Sequence, residues 1–199
     1  MTRSHEDAGR FSQSSALIAA TFQPSAPNRS ASFAVMKPLA LASMPEIPTS
    51  TARSGATAPN RDNYAEHFYE HAIRFDKMFE QLILPLRKNR EVSLIADCAD
   101  AKATSYRKHR YEFRSIDIAL VEGIFLFKPA YRHYFDLTAW IDCSFECALQ
   151  RATARGQKGL PPTETIRAFG TIYFPAQRIH LGRDNPRETA DYIVVNDNL

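Results

Sequence analysis

Glycine is scarce in this chain of 199 residues: there are seven, at positions 9, 55, 123, 156, 159, 170 and 182. None of them opens a GxxxxGKS or GxxxxGKT run, in which main-chain amides cradle phosphates and a lysine reaches their outer oxygens. That loop is absent from the sequence. Cysteine is scarce as well. The three, Cys98, Cys143 and Cys147, include no CxxC pair and make no even framework, which predicts free thiols in a reducing cytoplasm. Cys143 and Cys147 are spaced as two zinc ligands can be, but no second pair nearby completes a site. No apolar run reaches about 18 residues, so no membrane-spanning helix is expected. The net charge of +3 is too small to point by itself to nucleic acid or an anionic membrane. What remains is ordinary for a globular protein: 44% hydrophobic and 24% charged residues, in a length that suits one domain with a real core.

The two parts of the chain differ in texture. Residues 1–60 hold 12 Ala, 10 Ser, 6 Pro and 5 Thr, and neither Tyr nor Trp. Such a segment buries little apolar surface against its ordering entropy, which predicts disorder. Two stretches, 16–20 and 33–36, are apolar enough to be exceptions. A targeting peptide is not expected, because Glu6 and Asp7 sit early and no clean apolar core precedes a cleavage site. From 61 to 199 the pattern is that of a folded domain. Asp62 or Asn63 caps a helix on which Phe68, Ala72, Phe75, Phe79, Leu82 and Leu86 form one apolar stripe of about six turns, until Pro85 ends or bends it. Strands are expected at 92–96, 116–127, 137–142 and 191–195. Helices are expected at 145–154 and from a Thr163 cap onward, the latter interrupted by Pro175. The last strand reads as buried. Alternating strands and helices predict an α/β fold with a parallel sheet flanked by helices.

The run RDNYAEHFYEHAIRFDKMFEQLILPL, then VEGIFLF, WIDCSFECALQRATARG, TIYFPAQRIH and ADYIVVND, resembles, in this order, the uridine kinase and phosphoribulokinase family of P-loop kinases. The resemblance covers Arg61 to Leu199. It implies ATP-dependent phosphorylation of a nucleoside or similar small hydroxyl substrate, with Mg2+ and ATP as cofactors. It also implies a set of roles. Glu122, at a strand's C-terminal edge where open α/β sheets bind ligands, holds the metal. Arg151 and Arg155, four apart on one helix face and followed by Gly156, begin the lid that neutralises the transferred phosphoryl group. Arg167 is a further substrate contact. Asp62 meets the nucleoside hydroxyls, and Asp97 corresponds to the acid of the family's YDF strand. Here Asp97 is flanked by Ala96 and Cys98 instead of aromatic residues, and Ala101 falls near the place of the family's histidine.

Without the phosphate loop, the resemblance implies a sheet missing its first, interior strand. Its neighbours then lose ladder partners at about 1–3 kcal/mol for each buried unpaired group. Either residues 33–36 substitute as a strand, or the sheet closes up or pairs with another chain. The expectation is that residues 1 to about 58 are not the family's native start, through truncation, frame change or a misassigned start. The expected chain is an impaired phosphotransferase, with a non-catalytic ligand- or protein-binding remnant as the alternative.

Two other motifs carry chemistry. His67, Glu70 and His71 spell HxxEH, the inverted zinc-protease pattern, but no downstream acidic helix offers a third ligand. Tyr106 to Arg114 interleaves aromatic and basic residues, as single-stranded nucleic-acid binders do. An exposed loop between strands is the simpler reading.

Overall fold

The computed structural model describes residues 16–21, 33–36, 64–99, 106–155 and 161–197. Strands β1 (Ala16–Thr21) and β2 (Phe33–Met36) come from the Ser- and Ala-rich part. They join β5 (Ile118–Gly123), β6 (Leu137–Asp142) and β7 (Tyr192–Val195) in a five-stranded sheet of order β2-β5-β1-β6-β7. β2 is parallel to β5, and β7 is parallel to β6. β1 is antiparallel to both its neighbours, with Ile18 opposite Val121 on one side and Thr138 on the other. The sheet is therefore mixed, where the strand–helix alternation predicted a parallel one. The interior position is filled from residues 16–21, and residues 33–36 take the outer edge instead. The reason is physical: an unpaired interior ladder on β5 and β6 strands many amides, and any short apolar segment that reaches it satisfies both rows at once. The disorder expected for the rest of residues 1–60 lies outside the described residues.

The long amphipathic helix is broken. α1 (Tyr64–His71) ends before a bend, and α2 (Phe75–Met78) restarts the chain. A π-helical turn, Phe79–Ile83, then leads into α3 (Leu84–Asn89). The stripe is nonetheless correct: Phe68, Ala72, Phe75, Phe79, Leu82 and Leu86 are all buried. Pro85 neither ends nor visibly bends the helix. It lacks an N–H and would collide with a carbonyl one turn back, and the wider π turn just before it makes room. The second long helix solves the same problem in the same way: α6 (Pro162–Ala168), a π turn at Phe169–Tyr173, then α7 (Phe174–Asp184) with Pro175 in its first turn. Gly170 lies in that turn, and a Cβ there would meet nothing within 4 Å; no packing requirement explains it. α6 opens on Pro162, not on a Thr163 cap, because proline suits the first helical position.

A separate hairpin pairs β3 (Val92–Ala99) with β4 (Tyr106–Phe113) antiparallel. Residues 106–113, expected as a loop, are thus a strand. Tyr111 faces the core, while Lys108, Arg110 and Glu112 are exposed. Arg114 and Arg110 both lie against Glu112, at 2.7 and 4.0 Å, which weakens the patch as a cationic track. The hairpin is anchored at Arg90, which adopts a left-handed conformation at the end of α3 and pairs with the buried Asp117. Short helices α4 (Pro129–Arg132) and α8 (Pro186–Thr189) complete the fold with α5 (Phe145–Ala154), whose first turn is capped by Ser144 accepting from the Cys147 amide at 3.2 Å. The main core joins α1, α2, α7, the two π turns and the turn after β5, with Phe125, Leu126, Phe127 and Trp140 almost fully enclosed. β7 is the exception to expectation: all four of its residues are exposed. No helix among the described residues is long and apolar enough to cross a membrane.

Candidate functional site

β5, β6 and β7 all end at one edge of the sheet, where ligands bind in open α/β folds. Glu122 is the next-to-last residue of β5 and is half-buried. Asp142 ends β6, is buried, and is approached by Arg187 at 3.5 Å. β1 runs the other way, so its first residue, Ala16, lies opposite Gly123 and its last, Thr21, opposite Ile118 at the far edge. The chain leaving β1 therefore departs from the edge opposite Glu122. A strand–loop–helix phosphate cradle needs the reverse arrangement.

The sequence-derived residues are dispersed among several anchors. Arg151 donates to the Asn196 carbonyl at 2.9 Å, beyond the end of β7. Arg155 donates to the carbonyl of Arg151 at 3.2 Å, so the two stay together on α5. Arg167 lies 3.4 Å from Glu164 within α6. Asp97 pairs through its backbone with Lys108 in the hairpin, away from the main sheet. Its side chain, and all of Asp62, lie outside the described residues.

A second constellation was not singled out from the sequence. Following β5, the chain turns through Phe125, a non-glycine residue with φ 58. That conformation costs about 1–2 kcal/mol, and packing of the Phe125 ring against Tyr69 (5.4 Å) and His180 (5.4 Å) holds it in place. Around this hub, Tyr69 Oη donates to Asp184 Oδ2 at 2.8 Å, and His180 Nδ1 lies 2.5 Å from the same oxygen. Burial pushes the Tyr69 phenol above its ordinary value, and the Asp184 contact adds to it. Burial also pulls His180 below 6.5, against the opposing pull of Asp184. The buried His180 Nε2 has no hydrogen-bond partner among the described residues, which fits a neutral ring: an imidazolium would bury an unpaired N–H.

Lys128 connects this network to an open cavity. Its Nζ donates to the Tyr69 carbonyl at 2.8 Å and lies 4.2 Å above the Tyr69 ring. Desolvation lowers its pKa from 10.5. The cavity, about 550 Å³, is bordered by His67, Glu70, His71, Arg74, Asp76, Lys128 and Tyr131. The HxxEH residues thus face a cavity: the His67 and His71 rings are 4.6 Å apart and Glu70 lies 3.7 Å from His71. They gain no third donor close enough to form a metal-binding trio among the described residues. The signal that could have revealed the inner network is the i,i+4 spacing of His180 and Asp184. The partner of that pair, Tyr69, is 115 positions away in sequence.

The mixed sheet and the helices packed on it together define an α/β fold. Among solved structures, the chain is similar to one described as a possible uridine kinase from Bacillus stearothermophilus, with a TM-score of 0.52 and 18% identity over 82% of this chain and 72% of that one. Likeness at that identity is a statement about fold. No family model and no curated protein matches the sequence.

Proposed function

We propose that the chain carries the frame of a uridine-kinase-like phosphotransferase, one that moves the γ-phosphoryl of ATP to a nucleoside or similar small hydroxyl, and that transfer in this chain is impaired. The observation that carries this reading is the direction of β1. It occupies the interior position between β5 and β6 but runs antiparallel to both, and the sequence has no GxxxxGKS or GxxxxGKT run to place at the ligand edge.

Within that frame, Glu122 is the residue suited to a magnesium ion. One strand-end carboxylate, with water and substrate phosphates as the other ligands, is the usual donor set for Mg2+, and the half-buried end of β5 provides it. Such an ion, when bound, supplies charge neutralisation at the phosphates. Arg151 and Arg155 are the candidate cations for the transferred group, and Asp62, Asp97 and Arg167 the candidate substrate contacts. The tether from Arg151 to Asn196 must be released before that side chain can turn to a phosphate. Transfer between bound substrates depends mostly on positioning and electrostatic stabilisation, so loss of the amide cradle removes more than any one side chain.

A second reading is favoured by the cavity at Lys128. Its desolvated ammonium and the nearby Arg74 suit an anionic or phosphorylated small molecule bound without turnover. One experiment separates the readings: the purified chain is given ATP, Mg2+ and uridine, and both turnover and heat of binding are recorded. Turnover well below the ordinary kinase range of about 1–100 s⁻¹ is expected. A rate inside that range overturns the impairment. Measurable heat with uridine monophosphate and none with ATP favours the binding reading.

A further inference from the structure

Cys143, Cys147 and Asp197 lie just beyond the ends of β6 and β7, next to Arg151, and have so far been given no role. We propose that they form a binding site for a thiophilic divalent cation of the zinc class, which fastens the C-terminal end of the chain to the junction of β6 and α5.

The two cysteines come from one turn. Cys143 follows the last residue of β6, and Cys147 lies in the first turn of α5, whose cap at Ser144 fixes the helix start. Both thiols are buried and, with Ala148, form their own small cluster outside the main core. Spacing alone supplies two donors and no more. The third arrives from the far end of the chain: after β7, Asn196 N donates to the Asp142 carbonyl at 2.7 Å, and Asp197 Oδ1 accepts from the Ser144 amide at 2.6 Å. One ligand atom from each of the three residues lies within 4.8 Å of the others. A tetrahedral zinc ion with bonds of about 2.0–2.3 Å holds its donors about 3.3–3.8 Å apart. The trio therefore needs to close by only about 1–1.5 Å.

The surroundings suit an ion of this class. Two thiolates and a carboxylate select a soft or borderline cation over magnesium or calcium. They leave one excess negative charge on a divalent ion, and the Arg151 guanidinium, 3.8 Å from Cys143 Sγ, is placed to offset it. The helix N-terminus at Ser144 adds a further favourable partial charge beside the site. Without an ion, burial pushes the Cys143 thiol up to about 12, with Cys147 adding to the rise. Binding replaces two S–H bonds with two S–metal bonds and releases two protons to solvent. Three protein ligands leave the fourth position to water or to a nearby carbonyl such as that of Asn196, whose oxygen lies 4.0 Å from Cys147 Sγ.

The test uses the full chain, reduced and stripped of metal, titrated with Zn2+ against a chromogenic chelator and separately with Co2+. One ion per chain, a thiolate-to-cobalt charge-transfer band and release of two protons per ion are expected. Cys143→Ser and Cys147→Ser each remove the band. Asp197→Asn weakens affinity by roughly tenfold or more, at least the scale of losing a support of a metal ligand. Cys98→Ser leaves affinity and band unchanged. Zinc raises the melting temperature of the wild type and of Cys98→Ser but not of Cys147→Ser. No band in the wild type, a band that survives Cys143→Ser, or isolation of Cys143 and Cys147 as a disulfide from reductant-treated protein overturns the proposal. Because the wild-type spectrum is diagnostic by itself, a variant that fails to fold does not protect it. Kinase turnover plays no part in the readout.

Discussion

β6 and β7 are parallel neighbours whose sequences, LTAWID and YIVV, both read as buried strands, yet they live in different environments. β6 has a strand on each side, and its Trp140 is 1% exposed, meeting Phe127 and His180 edge-on or tilted. Among the described residues β7 has a strand on one side only, and Tyr192, Ile193, Val194 and Val195 are 46–59% exposed. Apolar β-branched composition marks a strand. Whether that strand is buried depends on the ladder and on the layers packed over it, which composition does not contain.

The largest expected effect breaks this comparison most directly. Trp140→Ala should cost about 3–5 kcal/mol in a urea melt, the range for large aromatic truncations in a core. Ile193→Ala should stay within about 0.5 kcal/mol, as exposed substitutions do. Equal costs would mean that the β7 face is covered in solution by something the strand pairing does not include.

A proline scan sharpens the same contrast at the level of the backbone. β1 is hydrogen-bonded on both sides, so a proline at Ile18 removes a ladder donor whichever way that N–H points. Each stranded partner costs about 1–3 kcal/mol, and Ile18→Pro should lower the denaturation midpoint accordingly. In β7, alternate N–H groups face away from β6, so proline at those positions should be close to neutral. If Ile18→Pro melts like the wild type, β1 is not the interior strand, and the argument for impaired transfer loses its structural support.

The sequence made the domain strands and helices legible where periodicity or apolar runs were strong: Leu137–Asp142 and Phe145–Ala154 are found with the bounds read from the pattern. It failed where the decision was made by distant partners. The strand at 16–21 is short and weakly patterned, and only the open ladders of β5 and β6 give it a place. The break after His71 and the π turns before Pro85 and Pro175 follow from packing and proline sterics, not from the stripe. Candidate site residues divide in the same way. Glu122 lies at the C-terminal end of β5 as strand logic requires, whereas the trio of Tyr69, His180 and Asp184 assembles across 115 positions, with only the i,i+4 spacing of His180 and Asp184 as a local sign.

That inner network yields the smallest and most specific effect. In the fold, His180 is neutral and its pKa lies below 6.5 because burial opposes the charged ring more than Asp184 favours it. Lys128, whose charge also faces the ring, acts in the same direction as burial. The unfolded chain takes up a proton on this residue near 6.5, and the folded chain does not. Below that pH the unfolded state therefore binds more protons, and stability falls as pH drops through the window beneath 6.5. Above 6.5 both states are neutral at this site and the contribution is flat. A single group limits the slope to about 1.4 kcal/mol per pH unit. His180→Gln keeps a donor for Asp184 but cannot titrate, so its melts between pH 7 and pH 5 should lack the part of the slope that the wild type owes to this ring. If stability instead rises as the wild type is acidified and the variant does not follow, the ring is an imidazolium paired with Asp184, and the contrast between this sealed core and the open edge at β7 would have to be drawn with a buried charge at its centre.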